Sequence, residues 1–373
     1  MKFGIDSFGL DHGRSGLGAY LLSLVNQLPD ENNISYQIFG PETDRYSFAV
    51  NPKIDFISTG TTSNYFGDQA WHLYKANIFA SKNEFDAILY TAGARLLPLE
   101  FSVPGVAVIN DIPSKLLKNK KLYKKLAMKK SLNKVDYIIA ASNFIKRDLE
   151  KLGIKNKNIE VIHNGIDHSM FYPKELDDSE YVNIKPFAIQ RPYFIYASTI
   201  SSEEKKHVEL IKAFSLFKKN TGLPHRLVLA GKGDGNYAEK VHKAAFESDY
   251  SSDIFLTGYF PHETFPDLYR GATACICPSV NEGVGLTVLE SMACGLPVAC
   301  AKAGALPELA ASNALYFNSD SILEIEGALE KLAVDENLRK KLSQQGVEWA
   351  KRFSWEKTAH ATAQVLLKAS RKE

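Results

Sequence analysis

The chain has 373 residues, 45% of them hydrophobic and 24% charged, the profile of a soluble globular protein large enough for two domains. No apolar run reaches the length of a bilayer span, and the N-terminal MKFGIDSFGLDHG lacks the apolar core of a signal peptide, so a cytoplasmic protein is expected. Four cysteines, Cys275, Cys277, Cys294 and Cys300, crowd into 26 residues, which fits neither a disulfide framework nor a common zinc spacing. They are expected to be reduced and buried, with no metal bound.

Short apolar runs alternate with helical patterns from end to end. In the first half the expected strands are KFGIDSF, SYQIFG, IDFIST, AILYTA, GVAVIN, YIIAAS and IEVIH. Patterns such as GAYLLSLVNQLP, with apolar residues three and four apart, lie between them. Net charge is +2, but residues 115–134 hold nine lysines and no acid, so the rest of the chain is net −7. If that block is one helix, Lys118, Lys121, Lys125 and Lys129 form a stripe, with Leu122 and Leu126 beside each other. Such a block suits an anionic membrane surface. Nucleic acid is the weaker partner, because only Tyr123 offers an aromatic ring for stacking. Residues 164–192 are polar, proline-containing and without periodicity, and read as a linker. In the second half the expected strands are YFIYAST, RLVLAG, IFLTGY, ACICPS, LPVACA and ALYF. Continuous apolar strands between helices predict an α/β chain with two Rossmann-like, doubly wound parallel sheets facing a cleft. Ligands are expected at the carboxyl ends of the strands.

Three stretches carry chemistry. After the first strand, Gly9, Gly13, Gly16 and Gly18 precede a helix, where backbone N–H groups can approach a phosphate. The order is neither the dinucleotide fingerprint nor a P-loop, which speaks against a Rossmann oxidoreductase. In YASTISSEEKKHVELIKAF, the hydroxyls of Ser198 and Thr199 and the pair Lys205–Lys206 lie between a strand and a helix, where a lysine can face a diphosphate. Two further strands end in glycine, so main-chain groups near Gly231, Gly258 and Tyr259 are placed to read a nucleobase. In VNEGVGLTVLESMACGLPV, Glu282 and Glu290 flank a glycine loop, with a helix expected from about Leu286. Eight residues of helix would rise about 12 Å, comparable to the span from sugar to ribose in a nucleotide-diphosphate sugar. Glu282 would accept sugar hydroxyls and Glu290 the ribose hydroxyls. The N–H groups of Gly283, Val284, Gly285, Leu286 and Thr287 would face the diphosphate between them.

PSVNEGVGLTVLESMACGLPVACAKAGALPELA resembles the E-x7-E signature of glycosyltransferase family 4, retaining enzymes of the GT-B fold. GLGAY is similar to that family's first-loop glycines, and YIIAASNFIKRDLEKLGIKNKNIEVIHNGIDHSMFYP to its crossover. LTGYFPHETFPDLYRGATACICPS is similar to its base-binding strand. RFSWEKTA resembles the start of a last helix that crosses back to the first domain. The resemblance implies an acceptor-binding domain over 1–170, with 354–373 packed back on it, and a nucleotide-sugar domain over 171–353. It places Lys206 on the diphosphate, and Gly16 and Gly18 at the phosphates or sugar. Asn110–Asp111 stand where the family often has His-Asp, and STISSEE, just before the lysines, lacks the arginine that the family often has there. The implied activity is hexosyl transfer with retention to a glycan or lipid-linked acceptor. The donor would be GDP-mannose or a UDP-hexose, STIS being loosely similar to mannosyltransferase-like members. The sequence has no D-x-D, so no metal is expected and lysine with backbone N–H groups would neutralise the diphosphate. The alternative is a non-catalytic GT-B partner subunit that binds a nucleotide-sugar or glycan.

Overall fold

The computed structural model describes residues 1–61, 65–175, 181–184 and 187–371. The chain divides into two compact units, Met1–Gly165 with Phe353–Glu373, and Ile166–Arg352.

The first unit opens with β1 (Lys2–Asp6), α1 (Gly16–Val25), β2 (Ser35–Gly40), α2 (Glu42–Phe48), β3 (Asp55–Ser58), α3 (Tyr65–Tyr74) and α4 (Ala76–Lys82). It continues through β4 (Ala87–Tyr90), β5 (Gly105–Ile109), α5 (Pro113–Leu117), α6 (Leu122–Lys134), β6 (Tyr137–Ala140), α7 (Asn143–Lys151) and β7 (Ile159–Val161). The seven strands form one parallel sheet in the order β3-β2-β1-β4-β5-β6-β7. Every residue of β4 and β5 is buried, as expected for parallel strands covered on both faces. Successive residues enter opposite cores. Leu89 packs with Ile5, Leu21 and Ile38, while Ile88 packs with Phe39, Trp71 and Phe85.

In the second unit, β8 (Tyr181–Ile184) and β9 (Phe187–Gln190) precede β10 (Tyr193–Ala197), α8 (His207–Thr221), β11 (Arg226–Ala230), α9 (Asn236–Phe246) and β12 (Ile254–Gly258). Then follow α10 (Phe265–Gly271), β13 (Ala274–Cys277), α11 (Leu286–Ala293), β14 (Val298–Ala301), α12 (Leu306–Ala310), β15 (Leu315–Phe317), α13 (Ile322–Val334) and α14 (Glu336–Ala350). The main sheet is parallel, in the order β12-β11-β10-β13-β14-β15. All four cysteines are free and buried. Burial pushes the Cys275 thiol up to about 12, so it is unreactive near neutral pH.

Two expectations need correction. The stretch expected as an irregular linker contains the antiparallel pair β8–β9, with Val182 and Ile189 buried. Strands of four residues are too short to leave a periodic signal. The lysine block is also not one helix. It breaks between α5 and α6, with Lys121 extended at the start of α6, so Lys118 and Lys121 leave the expected stripe and only Lys125 and Lys129 stay i, i+4 on α6. The break falls on Lys-Asn-Lys-Lys, which has no apolar residue to bury and sets like charges against the positive end of a helix. Among the described residues, no helix is long and apolar enough to cross a membrane.

The last helix, α15 (Trp355–Ser370), returns to the first unit. Ala359, Val365 and Leu366 are fully buried in the core that holds Leu21 and Leu89. Thr358 Oγ1 donates to the His163 carbonyl at 2.8 Å. Burying a valine or leucine contributes about 1.5–3 kcal/mol each, so losing this helix removes a sum comparable to the stability of a whole domain. A chain ending at residue 352 should therefore lose the cooperative melting of the first unit. Circular dichroism checks this, and a melt unchanged from the full chain would contradict it.

Candidate functional site

Several loops converge at the carboxyl edge of the second sheet. The segment after β13 carries Glu282 and reaches α11 through Gly285, whose φ of 60° is left-handed. It is fastened on two sides. Val280 N–H donates to the Glu204 carbonyl at 2.9 Å, and Ala305 N–H donates to the Glu282 carbonyl at 2.8 Å. Gly304, also left-handed, lies so close that a Cβ there would sit 2.6 Å from the Glu282 carbonyl oxygen. The Glu282 backbone thus rests on a position that only glycine can fill without a shift.

The two lysines after β10 have separate fates. Lys205 Nζ donates to Glu282 Oε2 at 2.7 Å, and its side chain is 17% exposed. Burial works to lower the Lys205 pKa, but the Glu282 charge and hydrogen bond outweigh it and the net shift is upward, so the ammonium form is kept. Lys206, the lysine expected at the diphosphate, instead contacts Glu209 Oε1 at 3.1 Å and Asp320 Oδ1 at 2.7 Å. The reason is local. Residues 203–205 form a single tight turn that ends with Lys206 left-handed at φ 57°, which turns its side chain away from that of Lys205.

The helix begins at Leu286, so only four of the eight steps from Glu282 to Glu290 are helical, a rise of about 6 Å, and the rest is loop. The amides of Leu286 and Thr287, in the first turn, have no acceptor within the helix. Gly283 and Gly285 are buried there and Val284 is half-buried. The Thr287 hydroxyl donates to the Ala197 carbonyl at 3.0 Å, which ties α11 to the end of β10. Glu290 is buried, with Oε1 3.0 Å from His262 Nε2 and Oε2 accepting from the Tyr269 hydroxyl at 3.3 Å.

Around these residues, Ser198 is half-buried and Thr199 exposed. Gly231 and Gly258 form an isolated bridge. A Cβ on Gly231 would be 2.1 Å from the Ser198 carbonyl oxygen, so its bareness serves a backbone crossing. Gly258 has open space beside it, and Tyr259 is 73% exposed. Among the described residues, no group of three His, Cys, Asp or Glu is arranged to hold a metal ion.

In the first unit, the loop after β1 is strained and held. Asp11 and His12 both have φ 51°, rare outside glycine. His12 Nδ1 lies 2.6 Å from Asp44 Oδ1, and the buried Ser7 hydroxyl donates to Asp44 Oδ2 at 2.7 Å. Ser15 caps α1 by accepting from Gly18 N–H at 3.1 Å. This corrects the expectation for Gly18, because its amide is occupied and it is buried, 2.5 Å from Gly13 Cα by its would-be Cβ. Gly16 is exposed with nothing within 4 Å. At the end of β5, both side-chain polar atoms of Asn110 are buried without a hydrogen-bond partner. Asp111 is gripped by Arg95 through two hydrogen bonds of 2.7 and 2.9 Å, so its carboxylate is already engaged.

The sequence thus pointed to Glu282, Glu290 and the lysine pair, of which Lys205 and not Lys206 meets Glu282, and gave no sign of the contacts made by His262, Tyr269, Gly304 and the His12–Asp44–Ser7 cluster. Gly304 lay in view in KAGALPE and His262 in PHETF, but nothing in one sequence says what their backbones or rings touch.

A family model for glycosyl transferases group 1 matches residues 177–349, and one for glycosyltransferase family 4 matches residues 14–170. O-antigen chain mannosyltransferase B of Escherichia coli is 26% identical over 240 residues, 64% of this chain and 62% of that protein. The serotype-specific mannosyltransferase WbdA of Escherichia coli is 30% identical over 160 residues, 42% of this chain and 20% of that one. The chain therefore spans less than two thirds of the length of either relative. Among solved structures, sucrose-phosphate synthase from Thermosynechococcus elongatus superposes with a TM-score of 0.77 at 18% identity, covering 99% of this chain and 98% of that one. HepE from Anabaena, in complex with UDP and glucose, gives 0.76 at 17% identity, covering 99% and 100%.

The two α1 glycines separate packing from openness. Gly18→Ala should cost about 1–3 kcal/mol by forcing a Cβ into backbone, while Gly16→Ala should be neutral or stabilise by up to about 1 kcal/mol. Urea denaturation measures both, and equal midpoints would contradict the assignment.

Proposed function

Because the chain belongs to the family 4 glycosyltransferases of GT-B fold, we propose that it transfers a hexose, with retention, from a nucleotide-diphosphate sugar to a glycan or lipid-linked acceptor. The observation that carries this reading is the Lys205–Glu282 pair beside the start of α11. Glu282 has acceptor capacity for sugar hydroxyls, since a carboxylate oxygen can take more than the one hydrogen bond from Lys205. Lys205 and the first amides of α11 supply positive potential for a diphosphate, most valuable as the glycosidic bond breaks and charge grows on the leaving oxygen. Glu290 is the acceptor for ribose hydroxyls. In the proposed step the acceptor oxygen attacks C1 of the sugar from the face that the diphosphate leaves, and a diphosphate oxygen takes the acceptor proton. No metal is invoked, since the sequence lacks D-x-D and Lys205 with the amides supplies the charge. The relatives' names favour mannose, and the HepE complex favours a uridine donor, so GDP-mannose and UDP-hexoses are the donors to try first. On the acceptor side, the unpartnered Asn110 amide is suited to a sugar hydroxyl, because buried polar groups are rarely left unpaired.

A labelled-donor transfer and hydrolysis assay tests this. Lys205→Ala and Glu282→Ala should each lower kcat by about 100-fold or more, Lys206→Ala should leave it near wild type, and excess EDTA should not abolish turnover. A wild-type rate in Lys205→Ala and Glu282→Ala would overturn the assignment. Donor binding with neither transfer nor hydrolysis would favour the non-catalytic partner subunit.

We also propose that the lysine-rich segment rests on an anionic lipid surface, where a lipid-linked acceptor would be presented. A groove of about 230 Å³ is lined by Leu117, Leu122, Leu126 and Leu152, with Lys118, Lys125 and Lys129 at its rim. Leu122, Tyr123 and Leu126 are 71%, 61% and 58% exposed, unusual for apolar side chains in a row on one helix. Lysines about a set of exposed leucines match anionic headgroups over acyl chains, each lysine near the surface contributing about 1 kcal/mol. Lys130 and Lys134 pair with Glu100 and are excluded from the count. Liposome sedimentation should show binding that rises with phosphatidylglycerol, falls in 0.5 M salt, and drops in a Lys118→Glu, Lys125→Glu, Lys129→Glu variant. Equal recovery in the supernatant throughout would leave the lysines as solvated charges.

A further inference from the structure

His262 lies on the turn after β12, and the turn is closed on itself, with Thr264 N–H and Oγ1 both donating to the Pro261 carbonyl at 3.0 and 2.7 Å. The imidazole stands beside the rings of Phe171 and Phe265, at centroid distances of 5.3 and 6.2 Å. Its Nε2 meets Glu290 Oε1 at 3.0 Å, while the buried Tyr269 hydroxyl donates to Oε2 at 3.3 Å. Each carboxylate oxygen thus has one protein partner and keeps a further lone pair. Glu290 cannot rotate without breaking both contacts. The His262 side chain is 61% exposed and that of Glu290 is 11% exposed, so the imidazole is the solvent-facing member of the pair.

We propose that His262 is a positioning residue for Glu290. With Tyr269 it fixes the carboxylate so that the remaining lone pairs meet the ribose 2′- and 3′-hydroxyls of a sugar nucleotide, and its positive charge strengthens that hold. The inference rests on the reading of Glu290 as the ribose acceptor.

The groups that face the ring are Glu290 on α11, Glu263 on its own turn and Asp167 in the segment before Phe171, with the neutral Tyr269 phenol on α10 across the carboxylate. The Glu290 hydrogen bond raises the His262 pKa above its ordinary value, and burial opposes it without reversing the shift. The imidazolium is therefore present below this raised value and lost as pH rises through it. A charge-assisted bond orients the carboxylate more firmly than a neutral one, so nucleotide affinity should weaken from mildly acid to mildly alkaline pH. The diester phosphates of a sugar nucleotide stay ionised across that range and contribute no slope of their own.

Titration calorimetry from pH 6 to 8.5, with whichever of UDP-glucose and GDP-mannose binds, tests this. The wild-type Kd should rise about fivefold over the range. His262→Gln, which keeps a neutral donor, should bind near the wild-type alkaline value with no slope. His262→Ala should bind about tenfold more weakly than wild type at acid pH, also with no slope. A merely structural role would move melting temperature and leave the slope intact. A wild-type slope in His262→Gln, or wild-type affinity in His262→Ala, overturns the inference. Glu290→Gln and the 2′-deoxy sugar nucleotide, run in parallel, separate the two levels. If both bind as well as their parents, the ribose reading of Glu290 fails. If both bind weakly while the His262 variants match wild type, only the inference about His262 fails.

Discussion

The ion pair between Lys205 and Glu282 is the contact on which the rest of the candidate site depends. Neither side chain is freely solvated, and a charge left alone there would carry a desolvation cost without compensation. Together they are stable, and they join the loop after β10 to the loop after β13, whose strands are neighbours in the sheet. The backbone repeats the link through Val280 and Glu204, and Ala305 adds a third loop. The carboxylate and the ammonium are therefore held in place before any ligand arrives, which is how preorganised electrostatics would serve the proposed reaction.

A second buried carboxylate does comparable work in the first unit. Asp44 joins Ser7, at the end of β1, to His12, in the loop that follows, and Ser47 holds the His12 carbonyl at 2.7 Å. Two consecutive left-handed residues, Asp11 and His12, are costly outside glycine. The side-chain hydrogen bonds from α2 over-determine that geometry and let it persist. Burial raises the Asp44 pKa, and the hydrogen bonds from Ser7 and His12 oppose that shift without reversing it.

The lysine-rich segment follows the opposite logic. Its charges are spread at the surface around leucines that the fold leaves uncovered. Pro113 and Leu117 of α5 and Ser131 and Leu132 of α6 are buried against the body of the unit, and Lys130 and Lys134 pair with Glu100. The exposed row of Leu122, Tyr123 and Leu126 among these lysines is what the proposed lipid surface would cover.

The sequence by itself determined the two parallel sheets, because uninterrupted apolar strands separated by helical periods have few other ways to be buried. It also determined the stretch on which the proposed site is built, since Glu282, the glycines and Glu290 are local in the chain and a helix start is written in local signals. What only tertiary structure decided is which groups meet. Lys205 and Lys206 are adjacent and chemically alike, and one left-handed residue sends them to different carboxylates. Gly16 and Gly18 are two positions apart, yet one is open and the other is wedged against Gly13 by the Ser15 cap. His262 and Tyr269 reach Glu290 across 28 and 21 residues of chain. The physical reason is common to all three. Periodicity and propensity are properties of neighbours along the chain, whereas hydrogen bonds, ion pairs and backbone approaches are fixed by where separate loops arrive at the end of a sheet.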